Sequence, residues 1–190
     1  DYPGRLGHWD VGVPPSGPMD NFACRLANRL VGNSDVAAAL EITVTGPTLR
    51  FNTAVTIALT GAQLAANVDG KAVAWWQAKQ LPAGSVLTLG AVTGGGVRAY
   101  LAVRGGIDVP RYMGSRATFT LGRFGGHGGR ALRLADVLHV GADVSAPVVT
   151  QAISALVPIY SSQWTLRVIY GPHGAPDFFQ DEDLLAAGRE

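Results

Sequence analysis

The chain has 190 residues, 47% of them hydrophobic and 15% charged, with 25 glycines, one cysteine and a formal net charge of +1. That balance predicts a folded protein with its own core and argues against disorder, while the near-neutral charge and scattered basic residues argue against binding nucleic acid or a membrane surface. No apolar run reaches the roughly 20 residues that a membrane-crossing helix needs, no signal peptide opens the chain, and the lone Cys24 cannot form an internal disulfide, so a reduced, cytoplasmic protein is expected.

Residues 1–19 hold four prolines and four glycines around Tyr2 and Trp9, the composition of an ordered loop. Asp20 then predicts a helix N-cap, and Phe22, Leu26 and Leu30 recur at i, i+4 and i+8 as the apolar stripe of an amphipathic helix over 21–31, stopped by Gly32. Cys24 reads as a small core residue of that helix, and Arg25 and Arg29 as its solvated face. A short second turn is expected at 35–40. From Glu41 the pattern becomes β, with short Val-, Ile- and Thr-rich runs at 41–44, 48–51 and 55–60. Runs at 64–68 and 71–76 flank Asp69-Gly70, a two-residue hairpin signal. Further strands are expected at 85–89, 97–103, 135–140 and 163–170, and a helix at 181–189. Connections this short leave no room for βαβ crossovers. The sum is a mainly β protein, a closed or nearly closed barrel with one amphipathic helix near the N-terminus. The chain opens without Met inside a loop-like segment and ends in a charged stretch, which leads us to expect a piece of a longer polypeptide.

The densest signal is R-A-T-F-T-L-G-R-F-G-G-H-G-G-R at 116–130. Glycine packs no side chain, so four glycines around His127 require either a tightly bent corner or a backbone that a ligand approaches closely. Arg116, Arg123 and Arg130 would make such a loop cationic, suited to a small anionic or carbonyl-bearing ligand. His127, with two glycines on each side, is either merely exposed or held by a ligand, and its near-neutral titration suits proton transfer. Arg104, at the end of an apolar strand and followed by Gly105 and Gly106, is either a binding group or an exposed turn residue. The rigid loop 12–21 delivers Ser16, Asp20 and Asn21 to a helix N-terminus, where free N–H groups serve a ligand or a cap. His139 reads as structural, and His173 sits in another rigid loop. No P-loop, dinucleotide fingerprint, nucleophile elbow or metal-ligand spacing is present in the sequence, and no metal is expected.

Taken together, G-V-P-P-S-G-P-M-D (12–20), L-A-N-R-L-V-G-N (26–33), T-G-P-T-L (45–49), Y-L-A-V-R-G-G-I-D-V-P (100–110) and the 114–130 segment resemble the carboxyltransferase subunit family, often labelled allophanate hydrolase subunit 2. That family includes the carboxyltransferase domain of urea carboxylase (urea amidolyase), the third subunit of bacterial 5-oxoprolinase and a Kip-type kinase regulator. The D-Y-P-G-R start and G-P-H-G-A-P-D-F-F (171–179) resemble the urea carboxylase branch most closely. One departure is Ala135 before Asp136, where a glycine is common in the family, implying only a slightly altered turn.

The resemblance implies a cyclophilin-like β-barrel over 1–150, with 151–190 the start of a following subdomain or a connector. It implies transfer of a carboxyl group from carboxybiotin to urea, giving allophanate. Biotin would be carried on a separate carrier domain, with ATP and Mg confined to a biotin carboxylase domain and a companion carboxyltransferase subdomain completing the site. Within that chemistry the candidate catalytic residues are Arg104, Arg116 and His127. The candidate substrate-binding residues are Asp20, Asn21, Gly125, Gly126 and Arg130. Guanidine or another small amide is a possible substrate in place of urea. An ATP-dependent 5-oxoprolinase subunit or a non-catalytic partner-binding regulator are the alternative functions.

Overall fold

The computed structural model of the chain describes residues 1–165 together with 167, 180, 182, 183 and 186. The expected strand at 163–170 is irregular in its described part, 163–165. The rest of it, most of the 181–189 helix, His173 and the 171–179 segment lie outside the described residues.

Among the described residues one complete α-helix, α1 (Asn21–Leu30), is followed by ten strands, and Glu182, Asp183 and Ala186 are helical. These are β1 (Leu40–Thr43), β2 (Thr48–Arg50), β3 (Val55–Gly61), β4 (Leu64–Val68), β5 (Lys71–Ala72), β6 (Ala78–Leu81), β7 (Val86–Val92), β8 (Arg98–Val103), β9 (Gly105–Asp108) and β10 (His139–Asp143). The strands form an antiparallel sheet in the order β1-β8-β3-β6, a second in the order β2-β7-β4-β5, and a β10-β9 pair. The chain is therefore mainly β, with one complete helix and antiparallel pairing throughout. Among the described strands no single ladder closes into a barrel.

The period-two alternation of the two central strands creates three layers. Ile57 and Leu59 of β3, with Ala99, Leu101 and Val103 of β8, face the second sheet and meet Leu64, Leu87 and Leu89 there. The intervening Ala58, Tyr100 and Ala102 face α1 and pack on Ala23, Cys24, Ala27 and Leu30. Small residues on both sides let the helix lie close to the sheet, and the Thr60 hydroxyl donates to the Ala23 carbonyl at 2.8 Å. Cys24 is buried in that layer, and burial pushes its thiol up to about 11, which keeps it protonated and inert.

Several local expectations are corrected. The 71–76 run pairs only at Lys71–Ala72, because Trp76 turns out of the ladder with φ +61° and enters the helix-side core. The strand expected at 135–140 begins at His139, an exposed residue, after a turn through Ala135. β6 and β9 were not expected, and the Gly105-Gly106 turn proves to be the start of β9. The short turn expected within 35–40 is present at 35–37, and Leu40 already belongs to β1. Arg25 and Arg29 are not merely solvated: both guanidinium groups donate to Asp35, at 2.8–3.0 Å and 2.7–2.8 Å.

Candidate functional site

A cleft of about 650 Å³ opens where the glycine-rich loop meets β1 and the loop preceding α1. Arg116, Gly126, His127 and Arg130 line one side, and Pro18, Glu41, Thr43 and Tyr100 another. Ile107, Val109, Leu132 and Leu138 add apolar wall. Four of the eight candidate residues thus meet in one cavity. Asp20, Asn21, Arg104 and Gly125 are not part of its lining.

Each cationic group is held differently. Arg116 donates through Nε to the Val109 carbonyl at 3.0 Å, and its backbone N–H donates to the Asp1 carboxylate at 3.0 Å. Its two Nη groups make no hydrogen bond among the described residues and remain available as donors. Arg130 instead grips Asp136 with both Nη groups, at 2.7 and 2.8 Å. The Arg130 guanidinium and then the Arg133 backbone N–H hold the Asp136 carboxyl well below the usual carboxylate range. His127 Nε2 lies 3.7 Å from the same carboxylate, too long for a hydrogen bond.

The glycines shape this loop from inside. Gly125 has φ +73°, and a Cβ there would run into the Ala117 carbonyl oxygen and lie 2.7 Å from Arg5 Nη2. At Gly129, φ +67°, a Cβ would strike the backbone of Arg123. The run is therefore a tight corner packed on its own chain, and it also presents Gly126 and His127 to the cleft. Arg5, only 1% exposed, braces the corner from behind. It donates to the carbonyls of Tyr112 and Ala117 at 3.1 and 2.9 Å and sits 5.0 Å from the Phe124 ring centroid.

Asp20 caps α1, its Oδ1 accepting from the Ala23 N–H at 2.9 Å, and its Oδ2 accepts from the Tyr160 hydroxyl at 2.7 Å. Its backbone N–H donates to the Tyr100 hydroxyl at 2.7 Å, which in turn donates to Glu41 Oε2 at 2.8 Å. Burial raises both phenols. Asn21 is exposed in the first turn of α1. Arg104 closes the other end of α1, donating to the Val31 and Ala146 carbonyls at 2.7 and 3.3 Å, where a cation complements the helix dipole. Sequence reasoning missed Arg5, Glu41, Tyr100, Asp136 and Tyr160. The only signal available was a carboxylate six residues after Arg130 and another opening a strand.

Among the described residues no three His, Cys, Asp or Glu side chains gather as metal ligands, and no helix is long and apolar enough to cross a membrane.

The family model for the carboxyltransferase domain, subdomain A and B, matches residues 11–188. The chain is 46% identical over 190 residues to the urea amidolyase of Saccharomyces cerevisiae, covering 97% of this chain and 10% of that protein. The crystal structure of Kluyveromyces lactis urea carboxylase superposes with a TM-score of 0.86 at 43% identity, covering 98% of this chain and 17% of that one. A 5-oxoprolinase subunit of Escherichia coli is 42% identical over 156 residues, 81% of this chain and 49% of its own length. The chain spans about a tenth of the length of the urea amidolyase relative.

Proposed function

Because the chain belongs to the carboxyltransferase family of subdomains A and B, we propose that it is the carboxyltransferase portion of a biotin-dependent urea carboxylase, transferring the carboxyl group of carboxybiotin to urea to give allophanate. The observation that carries this reading is the meeting of Arg116, Gly126, His127 and Arg130 in one cleft of about 650 Å³. Residues 1–150 are the cyclophilin-like subdomain, and 151–190 lead into the next. Biotin carboxylase, a biotin carrier and a companion subdomain are the partners, with ATP and Mg used only by the first of them.

The cleft fits a biotin head group. Its apolar wall of Ile107, Val109, Leu132 and Leu138 suits a ring system, and the Arg116 Nη donors suit a ureido oxygen or a carboxylate. Bound there, biotin would supply the activated carboxyl group. The protein's part is to place charge and exclude water. Arg116 presents donors where negative charge develops, and their preorganisation lowers the barrier without reorganisation during the reaction. Arg130, fixed by Asp136, supplies a second positive charge whose position does not drift. The Gly125 and Gly126 backbone borders the approach. Asp20 and Asn21 stand outside the cleft lining at the head of α1, where the Asp20 N–H braces Tyr100, which lines it; holding the amide beside the transferable group turns a bimolecular encounter into a local one. His127, whose Nε2 stands 3.7 Å from the Asp136 carboxylate, relays the proton that the amide nitrogen gives up. Arg104 contributes from behind by fixing the far end of α1.

The test is urea-dependent turnover by the complete carboxylase carrying Arg116→Ala, His127→Ala or Asp20→Asn. Loss of one to three orders of magnitude is expected for Arg116→Ala, and near-normal turnover in all three variants would overturn the site. The similarity to the 5-oxoprolinase subunit keeps a second reading in view, ATP-dependent opening of 5-oxoproline. Turnover of that substrate in place of urea would favour it.

A further inference from the structure

We propose that Glu41 determines which substrate this cleft accepts, receiving an N–H of the small amide at its Oε1. The proposal rests on the carboxyltransferase reading and deepens it. Glu41 lines the cleft, its side chain is 32% exposed, and its two oxygens are treated unequally. Oε2 is saturated, accepting from the Met19 N–H at 2.9 Å and from the Tyr100 hydroxyl at 2.8 Å. Oε1 has only a charge contact with Arg98 Nε at 3.2 Å. That N–H is misdirected, since Arg98 Nε is buried without a hydrogen-bond partner among the described residues. The carboxylate is therefore fixed in orientation by one oxygen and left with open lone pairs on the other.

An ionised carboxylate only accepts, so the group it recognises must carry N–H or O–H donors. The same cleft offers the free Nη donors of Arg116, which ask for an oxygen. A ligand with N–H at one end and a carbonyl or carboxylate oxygen at the other satisfies both, whereas a purely anionic ligand is repelled by Glu41. Urea and other primary amides have that shape. A cationic guanidinium would gain a charge-assisted bond to Glu41 while giving Arg116 nothing to bind. Tyr100, 1% exposed, is a positioning residue that acts through Glu41.

The experiment uses the complete carboxylase with Glu41→Gln, Glu41→Asp and Tyr100→Phe, measuring kcat and KM for urea and for guanidinium together with thermal midpoints. Glu41→Gln preserves size and should raise the urea KM by roughly 10- to 100-fold, with a larger loss for guanidinium. Glu41→Asp should recover part of it, and Tyr100→Phe should move KM the same way by less. The ATP-dependent carboxylation of biotin, which belongs to another domain, should be unchanged in all three, and unchanged thermal midpoints show that each variant is folded. A Glu41→Gln protein with a urea KM within about twofold of wild type, or with a loss confined to its thermal midpoint, overturns the assignment. If wild type itself turns over neither amide, the carboxyltransferase reading falls and takes this one with it. An intact wild type with an indifferent Glu41→Gln variant sinks the Glu41 proposal alone.

Discussion

Ala135 adopts φ +70° on the exposed turn before β10, where an L side chain is strained by its own carbonyl contacts. Glycine removes that strain but loses more entropy on folding. The net expectation is that Ala135→Gly stabilises the protein by about 0.5–1 kcal/mol, read from the denaturant midpoint at constant slope. The sequence exposed this position only as a departure from the family's pattern. Its neighbour Asp136 carries a pH-dependent prediction. Its folded carboxyl titrates well below its ordinary 3.8, first because of the Arg130 pair. A depressed acid contributes stability that is fully present above the unfolded value and is lost as pH falls through the folded one. Wild type should therefore exceed Asp136→Asn in stability at neutral pH, with the gap closing as the pH drops below about 4 toward strongly acid solution. A gap that stays constant down to the acid limit would show that the carboxylate does not hold Arg130 in the folded protein.

The head of α1 joins three elements through Asp20, whose side chain caps the helix and accepts from Tyr160, 140 residues away. Asp20→Ala removes the cap and one part-buried bond together, an expected loss of about 1–3 kcal/mol. Tyr160→Phe should lose about 0.5–1.5 kcal/mol. The two share a bond, so the double variant should cost about as much as Asp20→Ala alone; strict additivity in denaturation would mean the hydroxyl contributes nothing through Asp20. Elements of this kind differ in how readily a sequence reveals them. α1 is legible because Phe22, Leu26 and Leu30 repeat at helical spacing beside a capping aspartate. Yet Phe22 stays exposed, and the buried face is built instead on Ala23, Cys24, Ala27 and Leu30. β3 and β8 are legible because they are buried on both faces and read as mostly apolar runs, interrupted only by Thr56 and Thr60 in β3 and opened by Arg98 in β8. β6 is an edge strand that buries only Leu81, and β9 begins with two glycines, so neither carries a periodic signal.

At the scale of the molecule, the candidate cleft is assembled from segments that are near in space and far in sequence. Arg116, Gly126, His127 and Arg130 lie within one stretch and could be grouped by reading along the chain. Glu41 and Tyr100 are 59 residues apart and meet only because β1 pairs with β8. Asp136 is six residues from Arg130 in sequence, a weak signal until the turn at Ala135 brings its carboxylate back to the guanidinium. Arg5 is the extreme case, a buried cation with no carboxylate partner among the described residues that spans 107 and 112 residues to reach the carbonyls of Tyr112 and Ala117. Burying a charge so placed is costly unless its donors are used, and Arg5 Nη1 finds no acceptor among the described residues. The return is rigidity in the corner that presents Gly126 and His127, because the Ala117 carbonyl that Arg5 binds is the one against which Gly125 packs. Arg5→Ala should therefore loosen this corner selectively. Amide exchange at Gly129, which donates to the Gly125 carbonyl at 2.9 Å, should accelerate by roughly 10- to 100-fold, while the amides of α1 and β8 keep their protection. Uniform acceleration across the molecule would instead make Arg5 a support of the whole fold, with no special hold on the loop beside the cleft.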